Sequence, residues 1–187
     1  MPLKPVTVWT AAPTLSVMVR RQFRNIRALA TFVALALALP AAARSQDIGI
    51  AIGKKAPAAV VQTLDGKAVN LSSYIGKTPV LIEFWATWCS KCKDLEPSML
   101  AAQKKYGGRV RFVGVAVSVN QSPARIKAYA KKHNLTIDVL YDADGKATDA
   151  YEVPATSYII VINRRGEIVY TGLGGSQDLE AAVKKAL

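Results

Sequence analysis

Cys89 and Cys92 are the only cysteines in the sequence, and they stand two residues apart in Phe84-Trp85-Ala86-Thr87-Trp88-Cys89-Ser90-Lys91-Cys92-Lys93-Asp94. Two thiols at that spacing can serve as a staple, as part of a metal site, or as a redox pair. A staple across so short a loop removes little entropy from the unfolded chain. With 187 residues, 51% of them hydrophobic, the chain can bury a core without one. Two sulfurs suit soft Cu(I), but no histidine or methionine stands at motif spacing beside them. The single histidine, His133, falls at a predicted helix end without partners, where a structural or solvent-facing role is expected.

The redox reading depends on what surrounds the pair. Pro79–Trp85 is an apolar and aromatic run interrupted by one acid, Glu83, and reads as a buried central strand. A helix is predicted from about Cys89 to Lys105, kinked at Pro97 and stopped by Gly107-Gly108. A C-x-x-C placed directly after a strand and at a helix start is a redox context. Unpaired N–H groups and the helix dipole there favour the thiolate, the form that attacks a disulfide. Cys92, about one turn on, can resolve a mixed disulfide formed at Cys89. We therefore expect Cys89 to be the nucleophile, more exposed than Cys92, with Lys91 and Lys93 adding positive charge.

The rest of the chain supplies an α/β frame. Ala58–Gln62 and Lys67–Leu71 flank the hairpin turn Asp65-Gly66, and Ser72–Gly76 is a short helical turn. Arg111–Val119 is a strand. Ser122-Pro123 starts a helix that runs to about His133, and Thr136–Tyr141 is a short strand. A turn at Asp142–Gly145 leads to a short helix ending near Tyr151. Ser157–Asn163 and Glu167–Thr171 form a second hairpin, followed by a helix over about Gln177–Lys185. Strands alternating with helices, then an antiparallel pair, imply a mixed sheet flanked by helices.

The net charge is +12, and five of the 25 basic residues lie in the first 43, which hold no acid. The remaining Lys and Arg are scattered as singles and pairs with no interleaved aromatic platform, so nucleic acid is not an expected partner. Residues 18–43 carry a basic segment, an apolar run from Ala28 to Leu39, then Pro40 and small residues. That is the order of a secretory signal, cleaved after Ala43 or Ser45, or retained as an anchor. Residues 1–17 have no place in that scheme, and we expect the natural start at Met18. The expected organisation is thus a non-native extension over 1–17, a signal or anchor over 18–43, a linker over 44–55 and one domain over 56–187. The domain would act outside the cytoplasm, in the periplasm, where disulfides persist.

Val80-Leu81-Ile82-Glu83-Phe84-Trp85-Ala86-Thr87-Trp88-Cys89-Ser90-Lys91-Cys92 resembles the active-site region of the thioredoxin superfamily, in particular its exported TlpA/ResA-like branch. The likeness extends from about Ile52 to Leu187. It implies a thioredoxin-like fold with an N-terminal β-hairpin extension and a thiol–disulfide oxidoreductase whose cofactor is the Cys89–Cys92 disulfide itself, with no bound metal. The partners it implies are disulfide-containing client proteins, such as apocytochrome c or copper-site proteins, and a membrane electron donor. The expected activity is disulfide reduction. The alternative is a periplasmic copper-binding or metal-delivery module using the same two sulfurs. A thiol peroxidase would carry T-x-x-C; here Thr87-Trp88-Cys89 has the wrong gap.

Three positions depart from the family pattern. Ser90-Lys91 replaces a dipeptide with proline before the second cysteine. Glu83 occupies a strand position where the family carries a buried acid or an amide. It is either a carboxyl of raised pKa that relays the proton of Cys92, or an acid that reaches solvent or a lysine. The family's cis-proline slot, counted from Val153 or back from Gly166, holds Ser157 rather than Pro154. A cis bond before serine costs ~2.5–4 kcal/mol, so a trans Thr156–Ser157 bond is expected. Pro154, Thr156 and Ser157 are the candidate substrate-binding residues, and Trp88 is expected either to form an apolar platform beside Cys89 or to pack in the core.

Overall fold

The computed structural model describes residues 49–187; the expected extension and signal, and the start of the expected linker, lie outside the described residues. The strand predicted around Glu83 is β3 (Val80–Trp85), and every one of its residues is buried. It lies near the middle of a seven-stranded sheet of order β2-β1-β5-β4-β3-β6-β7. The other strands are β1 (Val60–Thr63), β2 (Ala68–Asn70), β4 (Arg111–Val117), β5 (Asp138–Asp142), β6 (Tyr158–Ile162) and β7 (Ile168–Leu173). β4 runs parallel to β3 and β5, while β6 pairs antiparallel with β3 and β7 with β6. The N-terminal hairpin joins the sheet through β1, antiparallel to β5.

Among the described residues four α-helices cover the faces: α1 (Ser90–Tyr106), α2 (Pro123–Lys132), α3 (Lys146–Ala150) and α4 (Leu179–Lys184). Side chains alternate across a strand, and β3 shows the result. Val80, Ile82 and Phe84 enter a core with Tyr151, Tyr158 and Ile160. Leu81 points the other way, into a core with Leu95, Met99 and Ala102 of α1 and Leu179 and Val183 of α4. Trp85, on the same side as Leu81, packs with Cys89, Cys92 and Ile126. Removing a side chain as deeply buried as Phe84 costs roughly 3–5 kcal/mol. The alternation therefore also aims Glu83, between Leu81 and Trp85, at the helix that carries Cys92.

Two local features hold this frame. α1 runs as one helix through Pro97, close to the predicted span. Ser122 caps α2 with Pro123 in its first turn, as the sequence implies. The stretch read as the end of a linker is tied to the sheet edge. Ile50 is buried, the Gly53 and Ala56 N–H groups donate to the carbonyls of Ile168 and Gly166, and Lys55 forms a bridge with Glu167.

Candidate active site

β3 ends at Trp85, and the chain turns through Ala86–Trp88 before α1 begins. The Cys89 N–H donates to the Ala86 carbonyl at 3.1 Å. Cys89 is the N-cap of α1, and its Sγ accepts the Cys92 N–H at 3.0 Å. The first turn thus supplies a donor to the sulfur that the sequence nominates as nucleophile. Cys89 and Cys92 are joined in a disulfide, with Cα atoms 5.3 Å apart.

The expected contrast in exposure between the two sulfurs is corrected by the structure: Cys89 is 4% exposed and Cys92 5%. They differ in what they face. Cys89 lines an open cleft of about 660 Å³ with Trp88, Lys91, Thr156 and Gly174-Gly175. Cys92 lines a small inner pocket of about 40 Å³ with Glu83, Glu96, Tyr129 and His133. Burial equalises because the loop from Ala155 to Ser157 and the loop after β7 both close on the disulfide. Gly175 makes that approach possible: a Cβ there would lie 2.5 Å from Asp94 Cβ and 2.9 Å from the Lys91 carbonyl oxygen.

On the cleft side, Trp88 is 43% exposed, and its indole Nε1 donates to the Val119 carbonyl at 2.8 Å. The ring is a pinned surface platform and not a core side chain; Trp85 takes the core position. Gly114, opposite Glu83 on β4, makes room for Trp85, since a Cβ there would sit 2.9 Å from its Nε1. Lys91 is exposed and paired with Asp94 at 3.5 Å, so much of its charge is answered locally. Pro154 and Thr156 line a second cleft of about 480 Å³ on the other side of Trp88.

Ser157 does not reach either cleft. It is fully buried, holds φ at +64°, and commits its backbone elsewhere: its N–H donates to the Phe84 carbonyl, and its carbonyl accepts from Gly174 and from Gln177 Nε2. A left-handed non-glycine residue costs on the order of 1–3 kcal/mol and persists only where packing and hydrogen bonds over-determine it. Every peptide bond among the described residues is trans, including Thr156–Ser157. Of the three candidate binding residues, Pro154 and Thr156 face open space and Ser157 serves as their buried anchor.

On the inner side, Glu83 is 8% exposed, and its Oε1 has no hydrogen-bond partner. Burial, followed by the nearby charge of Glu96, pushes its pKa up to about 8. No lysine lines its pocket, so the ion-pair alternative falls away. Sequence reasoning missed the other members of this cluster. Tyr129 Oη donates to Glu96 Oε1 at 2.6 Å, and His133 Nδ1 lies 3.4 Å from Glu96 Oε2. The Tyr129 and His133 rings stack with centroids 3.9 Å apart. The i, i+4 spacing of Tyr129 and His133 was the available signal; which helix their shared face meets is not written locally. Among the described residues no group of three or more His, Cys, Asp or Glu side chains is placed to hold a metal ion.

Comparison with known proteins agrees with this geometry. A profile described as the AhpC/TSA family matches residues 52–171. The chain belongs to the AhpC/TSA family. It is 31% identical over 138 residues to thioredoxin-like protein YneN of Bacillus subtilis, spanning 72% of this chain and 80% of that protein. It is 32% identical over 120 residues to the thiol-disulfide oxidoreductase ResA of the same organism, spanning 64% and 66%. Among solved structures it resembles a thioredoxin-family thiol:disulfide interchange protein from Chlorobium tepidum, with 28% identity, a TM-score of 0.61, and coverage of 73% of this chain and 98% of that one. It also resembles a secreted Mycobacterium tuberculosis disulfide oxidoreductase homologous to DsbE, with 28% identity, a TM-score of 0.58 and coverage of 67% and 93%. The fold is thioredoxin-like, and the protein is a thiol–disulfide oxidoreductase of the ResA/DsbE type.

Proposed function

We propose that the protein is an extracytoplasmic disulfide reductase in which Cys89 attacks a client disulfide and Cys92 resolves the mixed disulfide. The observation that carries this reading is the two-sided disulfide: Cys89 opens on a cleft and Cys92 on an acid-lined pocket. The Cys89 thiolate attacks one client sulfur, and the other leaves with the electron pair and takes a proton. Cys92 then attacks Cys89, releasing the second client thiol and leaving Cys89–Cys92 oxidised. A dithiol donor, expected at the membrane, restores the pair.

Electrostatics supports that direction. A strong oxidant is one whose reduced, thiolate-bearing form is stabilised. Here Glu96 shares the Cys92 pocket and no lysine or arginine lines it, which opposes a thiolate at Cys92 and favours giving electrons away. Glu83, neutral to about pH 8 when the pair is oxidised, accepts the Cys92 proton once ionised and acts as the relay. Among the described residues, the backbone groups of Thr156 have no partner and lie at the cleft, where an extended client segment can pair with them, with Trp88 as the apolar wall. The signal-like segment over 18–43 and the secreted relative from M. tuberculosis support export. The clients are disulfide-bearing exported proteins, with apocytochrome c and copper-site proteins as the first to test.

Trapping tests the mechanism. Cys92→Ser should accumulate a mixed disulfide with a client through Cys89, released by dithiothreitol, and Cys89→Ser should trap none. Equal trapping by both variants, or by neither, would overturn the assignment.

A further inference from the structure

The inner pocket contains more than the relay needs. Glu83 enters it from β3, Cys92 and Glu96 from α1, Tyr129 from α2 and His133 from the end of α2. The remaining wall, from Leu135 to Ile137, brings no titratable group, and no lysine or arginine lines the space. Glu83 is sealed, whereas the side chains of Glu96 and His133 are 31% and 27% exposed. Glu96 is held from two directions, by the Tyr129 hydroxyl and by the His133 ring, and the stacking of those two rings fixes both donors at once. The pocket's 40 Å³ is room for at least one water beside the Glu83 carboxyl, within a mainly apolar wall.

We propose that Glu96, held by Tyr129 and His133, is a positioning residue for the exchange: it sets the charge of Glu83 and passes the proton of Glu83 to and from solvent. This rests on the reductase reading above. In the resolving step the Cys92 thiol gives its proton to the Glu83 carboxylate. The thiolate forms the bond to Cys89 Sγ, the Cys89–client bond breaks, and the electron pair leaves on the client sulfur, which takes a proton from water. Glu83 is then protonated and sealed. Above about pH 8 its proton leaves through the pocket to Glu96, and from there to bulk water.

A negative Glu96 opposes ionisation of Glu83. Glu96→Gln removes the negative charge and should let Glu83 ionise at lower pH, by on the order of one pH unit.

The test uses the purified full chain and two readouts. One is the titration of the Glu83 side-chain carboxyl by NMR with carbon-labelled glutamate. The other is the pH profile for reduction of a peptide with a single disulfide. The expected result is a downward move of both for Glu96→Gln. Should the amide disturb α1, Glu96→Ala carries the same prediction. A Glu83 titration unmoved in a folded Glu96 variant would overturn the proposal, as would an upward move. A wild-type chain that fails to reduce the peptide would sink the reductase reading, and the carboxyl titration would still decide this one.

Discussion

Two buried carboxyls stand on neighbouring parts of the same sheet, and they are treated in opposite ways. Asp142, at the end of β5, is 1% exposed, and its two oxygens accept three hydrogen bonds, from the Ala147 and Thr148 N–H groups and the Thr148 hydroxyl. Glu83, in the middle of β3, is 8% exposed and leaves Oε1 unpartnered. Asp142 closes the first turn of α3 and gives the backbone donors there what they need. Glu83 caps nothing. A buried polar group without a partner costs stability, and this one sits in a pocket with Cys92. The contrast separates a carboxyl bonded into the fold from one left unpartnered near the disulfide, for which the proposed relay gives a use.

The comparison can be broken from either end. The largest expected effect is on rate. Glu83→Gln should slow resolution by about 10²–10⁴-fold, the usual worth of a positioned proton acceptor, with no loss of stability. Stopped-flow thiol release from a preformed Cys89 mixed disulfide measures it, and a rate within twofold of wild type would remove Glu83 from the mechanism. Next comes Asp142→Ala, which removes the acceptor of the Ala147 and Thr148 N–H groups and leaves these donors unpaired. It should cost roughly 3–5 kcal/mol in denaturant unfolding, while activity per folded molecule stays the same.

The smallest effect is a pH dependence. In the oxidised protein burial keeps the proton on Glu83 up to about pH 8, against 4.5 for an ordinary glutamate. The folded state therefore binds a proton that the unfolded state lacks between those values. Its contribution to stability is complete below about pH 4.5, falls as the pH rises through 8, and then levels off. The difference between wild type and Glu83→Gln in unfolding free energy should follow that window. A difference that is flat from pH 5 to 9 would show that Glu83 is ionised and solvated in the native state.

How much of this was legible in the sequence depends on whether the deciding contacts are local. β3 announces itself through Val80-Leu81-Ile82, and the hairpin through Asp65-Gly66, where Gly66 takes φ of +84° in the turn. The Ser122 cap follows from residue type and position alone, and the helix start at Cys89 from the strand–C-x-x-C order. The equal burial of the two cysteines was not legible, because it depends on loops from beyond residue 150 folding back over α1. The roles of Glu96, Tyr129 and His133 were missed for the same reason: 33 and 37 residues separate the partners. Ser157 was read as the occupant of the family's proline slot. Its fate, a buried anchor with a left-handed backbone, is decided by bonds to Phe84 and Gly174.

The measurement that tests the central claim most directly is the equilibrium reduction potential of the Cys89/Cys92 pair in the purified chain, poised in dithiothreitol and glutathione buffers. A reductase whose acid-lined pocket opposes the thiolate should sit near the thioredoxin value of about −270 mV. A potential near about −120 mV, the value of a strong disulfide donor, would contradict the account and reverse the direction of electron flow.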